Sequence, residues 1–139
     1  MNARGCFCAF SVIAMAMAAP LQAQVTPMTK ADSALMKMRG ALRWVATAQE
    51  SYFARAGTYA AAVDSLREDI RGNLDPRVQV TILRAAKDGW AGEATHPDAP
   101  GKSCIYWIGE PVFGTDTKTA SEKRTSTRPG RALCDSDPS

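Results

Sequence analysis

From Leu35 onward the inward positions of the chain recur at alternating three- and four-residue spacing. They are Leu35, Met38, Leu42, Val45, Gln49 and Tyr52, and Ala34, Ala41 and Ala48 widen the stripe. That spacing is one face of an α-helix. Thr26-Pro27 and the pair Thr29/Asp32 supply its start: proline suits the first helical position, and threonine followed three residues later by an acid approximates a capping box. Gly57 supplies its stop. The sequence therefore predicts a helix over 27–56, about 45 Å long at 1.5 Å per residue. Asp64 to Ile70 predicts a short second helix, with Val63, Leu66 and Ile70 inward.

Past Gly72-Asn73 the period changes to two. Val78, Val80 and Ile82 alternate with Gln79, Thr81 and Leu83, the signature of a strand with at least one buried face. Lys87-Asp88-Gly89 signals a tight turn into a second strand, Trp90 to Thr95. Pro97 to Gly101 is a break, Ser103 to Ile108 a third strand, and Arg131 to Cys134 a short fourth. The expected class is α+β: a long N-terminal helix packed on a three- to four-stranded antiparallel sheet spanning about 78–134.

The opening segment reads as an address rather than as structure. Arg4 precedes an apolar run, Phe7 to Ala19, broken only by Ser11, and Pro20-Leu21-Gln22-Ala23 offers a small residue before Gln24. This is the layout of a cleaved secretory signal, 1–23, with Ala16-Met17-Ala18 as a second possible cut. The run is shorter than the ~20 residues a spanning helix needs. The expected product is a single domain, 24–139, with no stable membrane span and a periplasmic or extracellular home after Sec-type export. Cys6 and Cys8 leave with the signal. The remaining pair, Cys104 and Cys134, is expected to form a disulfide in an oxidising compartment.

Composition narrows the field further. Of the 139 residues 45% are apolar and 22% charged, with 17 Lys and Arg against 14 Asp and Glu. These values exclude collagen-like, coiled-coil and wholly disordered chains. The single histidine, His96, excludes mechanisms that need two imidazoles and reads as a surface or strand-end residue. There is no Gly-x-Ser-x-Gly elbow, no Gly-x-x-x-x-Gly-Lys loop and no Gly-x-Gly-x-x-Gly turn, so neither a serine nucleophile nor a nucleotide has a recognisable anchor. Asp64, Glu68 and Asp69, beside Arg67 and Arg71, read as a solvated helix face. No catalytic residue, metal ligand, cofactor or small-molecule substrate is expected.

Charge concentrates in one place. Within a long loop, 109–130, and just past it, residues 115–131 hold Lys118, Lys123, Arg124, Arg128 and Arg131 against only Asp116 and Glu122, a net +3. Such a cluster is a candidate surface for a partner or for the phosphates of DNA, whose binding would weaken steeply with salt.

The order of these features resembles a known family. Ala48-Gln49-Glu50-Ser51-Tyr52-Phe53 with Gly57-Thr58-Tyr59 resembles the end of the long helix and the following loop of type IV pilins and type II secretion pseudopilins. Val78-Gln79-Val80-Thr81-Ile82, then Gly89-Trp90-Ala91-Gly92-Glu93-Ala94-Thr95-His96, resembles their sheet, and Cys104 with Cys134 resembles the cysteine pair bounding their C-terminal region. The pilin stem, an apolar helix with a glutamate at its fifth position, has no counterpart: Gly5 is followed by Cys6-Phe7-Cys8-Ala9-Phe10, and no acid precedes Asp32. The resemblance implies a soluble pilin-like head in a structural or adhesive role, docking to an envelope protein or to a pilus or secretion apparatus. The alternative it implies is a DNA-binding pilin-like protein using the basic stretch.

Overall fold

The computed structural model of the chain describes residues 26–138, and the expected signal segment, 1–23, lies outside them. The first helix, α1, spans Lys30–Ala56. It starts where the sequence places its cap. Thr29 Oγ1 accepts from the Asp32 N–H at 3.1 Å, and the Asp32 carboxylate accepts from the Thr29 N–H at 3.0 Å, so two of the four orphan donors of the first turn are satisfied. It ends at Gly57, which holds φ at 69° and donates to the Phe53 carbonyl, a left-handed cap that costs glycine no steric clash. A 3₁₀ turn, Val63–Leu66, runs directly into α2, Arg67–Ile70.

Four strands follow: β1 Gln79–Ala85, β2 Gly89–Thr95, β3 Ser103–Gly109 and β4 Leu133–Cys134. They form one antiparallel sheet in sequence order. The register slips between Ile82 and Arg84, leaving Leu83 as the extra residue of a bulge on the edge strand; its side chain is exposed. Between β3 and β4 lies a single-turn helix, α3, Val112–Thr115.

One face of the sheet packs on α1. Met38, Leu42 and Val45 are fully buried against Trp90, Ala94, Cys104 and Tyr106, and the Trp90 and Tyr106 rings stack at 5.3 Å. Gln49, the polar member of the helical stripe, is fully buried. Its side-chain amide donates to the Ala60 carbonyl at 2.9 Å, and its oxygen accepts the Ala60 N–H at 2.7 Å. Burial is tolerated because the amide pairs with backbone on both sides. Directly opposite in register, Cys104 and Cys134 form a disulfide that ties β4 to β3, and both residues are fully buried.

The other face is covered by 109–132. Phe113 and Trp107 pack with Ala91 in a second apolar cluster. The stretch expected as a plain loop is therefore the third layer of the molecule. Gly114 is required there: a Cβ at that position would overlap the Trp107 indole. Among the described residues no helix is long and apolar enough to cross a membrane.

Candidate functional site

The basic stretch is fastened to the sheet by hydrogen bonds rather than by apolar periodicity. Asp135 follows the disulfide and is fully buried. Its carboxylate accepts from the backbone N–H groups of Glu122 at 2.7 Å, Ser103 at 2.9 Å and Ser121 at 3.1 Å. Burial alone would raise its pKa. The donors of Glu122, Ser103 and Ser121 and the Thr119 hydroxyl outweigh that penalty and hold it below the ordinary carboxylate value. On the far side of the stretch, the Trp107 indole N–H donates to the Ser126 carbonyl at 3.0 Å. Lys118 and Thr125 pair as an isolated antiparallel bridge, and the Thr119 N–H donates to the Arg124 carbonyl.

This fastening divides the five expected cations. Arg124, Arg128 and Arg131 line one groove of about 580 Å³, joined by Arg39 from α1. Lys118 and Lys123 are not among the groove's lining residues; both are exposed. Nor is Arg124 a free cation. Its guanidinium donates to the Asp137 carbonyl at 2.6 Å and approaches the Glu122 carboxylate at 3.4 Å. Arg39 is likewise engaged, donating to the Asp137 carboxylate at 2.6 Å. Arg128 and Arg131 are exposed and form no ion pair among the described residues. Thr125, Ser126 and Thr127 add hydroxyls, and Asp137 is the one carboxylate in the lining among the described residues.

Arg39, Asp135 and Asp137 were not legible as site residues in the sequence. Arg39 sits one residue past the buried Met38 and comes from more than ninety positions away. The only local signal was an acid immediately after Cys134.

The aromatic residues are placed for packing. Trp90, Trp107 and Tyr106 are buried, so they present no face on which a base could stack; Trp44 is exposed, on α1. His96 follows the end of β2, as expected, but it is buried rather than at the surface. The reason is local: its Nδ1 accepts the Asp98 N–H at 3.1 Å and its carbonyl accepts the Ala99 N–H, folding the Pro97 turn over the ring. Its Nε2 is buried with no partner among the described residues. It borders a groove of about 440 Å³ shared with Arg77 and Lys102. No three His, Cys, Asp or Glu converge as metal ligands among the described residues. Asp64 and Glu68 pair with Arg67 and Arg71 on the exposed face of the short helical segment, and Asp69 pairs with Arg55 of α1.

No protein-family model and no curated protein matches the chain.

Proposed function

We propose that the mature protein is an exported, non-enzymatic pilin-like head. Its role would be structural or adhesive in the bacterial envelope, and it would dock to a pilus, secretion or other envelope protein. The observation that carries this reading is the order of its parts. A long helix lies across an antiparallel meander, and a buried disulfide closes the last strand onto the third. That arrangement supports the pilin resemblance and suits an oxidising compartment. A head without the apolar stem would act as a soluble module and engage its partner through its surface.

The test is N-terminal sequencing of the exported protein. A start at Gln24 supports the reading. A start at Cys6 would mean prepilin-type processing and a filament subunit instead.

A second reading, DNA binding through the basic stretch, is favoured by one observation: Lys118, Lys123, Arg128 and Arg131 are exposed and outside every ion pair among the described residues. It predicts a salt-sensitive mobility shift of double-stranded DNA. That shift should vanish when Lys118, Lys123, Arg124, Arg128 and Arg131 are all replaced by alanine. No shift at low salt would end this reading.

A further inference from the structure

We infer that the arginine-lined groove is the docking site for an acidic peptide segment, whose carboxylates bind Arg128 and Arg131. This rests on the docking role proposed above and names the chemistry of the partner.

The groove already holds a carboxylate. Asp137 approaches it from the C-terminal end, with one carboxylate oxygen on the Arg39 guanidinium at 2.6 Å and the other accepting the Cys134 N–H at 2.9 Å. Arg124 holds the Asp137 carbonyl at 2.6 Å. A carboxylate of the chain itself, presented by a turn that the Asp137 N–H closes onto the Cys134 carbonyl, is thus gripped at the groove through both its side chain and its main chain. Arg128 and Arg131, in the same lining, repeat the donor chemistry with no carboxylate partner among the described residues. Arg128 and Arg131 flank the Pro129-Gly130 turn, and Gly130 is fixed by its N–H to the Trp107 carbonyl at 2.8 Å. The two arginines therefore sit on an anchored turn rather than on a free loop, so little backbone ordering is required when they bind.

Guanidinium forks match carboxylates in a bidentate geometry. Among the described residues the lining holds four arginines and one carboxylate, so these side chains leave a net positive charge. The shape favours peptide over duplex. A duplex presents its phosphates on a convex rod, whereas these cations line a recess whose volume lies in the ~300–1,000 Å³ range of ligand clefts. No aromatic residue among the described ones is in the groove's lining, so it offers no stacking platform for a single strand.

The experiment is fluorescence anisotropy at low salt on the exported, oxidised protein. The probe is a labelled hexaglutamate peptide, with hexaglutamine and a short DNA duplex alongside. Two double variants remove equal charge: Arg128→Ala with Arg131→Ala, and Lys118→Ala with Lys123→Ala. All four side chains are exposed, and circular dichroism verifies that each variant is folded. Hexaglutamate should bind while hexaglutamine does not. The arginine variant should bind it about tenfold more weakly or worse, and the lysine variant within about twofold of the native protein.

Equal losses in both variants would reduce the effect to general basicity and overturn the assignment. Duplex binding tighter than hexaglutamate, lost in the arginine variant, would replace the peptide with nucleic acid. No binding of hexaglutamate by the native protein would remove the groove assignment but leave the docking reading intact, because that reading falls only with the mature terminus.

Discussion

The two faces of the sheet are held by different physics. On the α1 face, Met38, Leu42, Val45 and Trp90 exclude water completely, and hydrophobic burial is non-directional, so many sequences with the same period would serve. On the opposite face the apolar content is small: Phe113, Trp107 and Ala91. The rest of 109–138 is fixed by individual donors and acceptors around Asp135, Trp107 and Arg124. The first arrangement makes a stable scaffold. The second holds polar and cationic groups at the surface in fixed positions, as a binding face needs. The first face supplies most of the apolar core, and the second, joined by Arg39 from α1, supplies the candidate groove.

Substitutions should separate the two. The largest effect is expected from Leu42→Ala, which opens a cavity in the fully buried α1 face and should cost about 2–5 kcal/mol. Thermal unfolding should shift while remaining a single transition, because both layers rest on that core. Asp135→Asn should cost somewhat less, about 3 kcal/mol, since an amide cannot accept from three backbone N–H groups as a carboxylate does. Its signature should be local. Hydrogen exchange should speed at Ser103, Ser121 and Glu122 while the α1 amides remain protected.

The same carboxylate sets a pH dependence. Its folded pKa is depressed, so its stabilisation is fully present above the unfolded value of about 3.9 and is lost as pH falls through the folded value below that. Asp32, Asp75 and Asp98 are also lowered, each chiefly by a side-chain hydrogen bond, from Thr29, Lys37 and Arg77 respectively. Acid denaturation of Asp135→Asn should therefore retain a slope below about pH 4, shallower than that of the native protein. A smaller effect is expected from Gly114→Ala, about 1–3 kcal/mol of overpacking against Trp107. Near-ultraviolet circular dichroism should report the displaced indole.

The same contrast decides how much of the molecule could be read in advance. The α1 face was legible. Its stripe, its Thr29–Asp32 box and its Gly57 stop are local signals that each point to the same helix, and the observed Lys30–Ala56 starts three residues after the expected Pro27. The strand positions followed from alternation and turn residues, although the bulge at Leu83 left no local mark. The polar face was not legible. The four residues of α3 are too few to show a period, and a single Lys118–Thr125 bridge shows none. Counting charge placed five cations together, but hydrogen bonding regrouped them. Arg124 went to the Asp137 carbonyl, Lys118 and Lys123 fell outside the groove, and Arg39 entered it from α1. Such assignments depend on contacts between residues distant in sequence, which neither composition nor periodicity encodes.

The most direct test maps the binding face itself. Hexaglutamate titrated into the isotope-labelled, oxidised protein should shift the backbone amide resonances of Arg39 and of 124–137 in nuclear magnetic resonance spectra, with Arg128 and Arg131 moving most and Lys118 and Lys123 unmoved. Shifts spread evenly over both lysines and arginines, or confined to the exposed face of α1 around Met36 and Trp44, would contradict the groove as the docking surface.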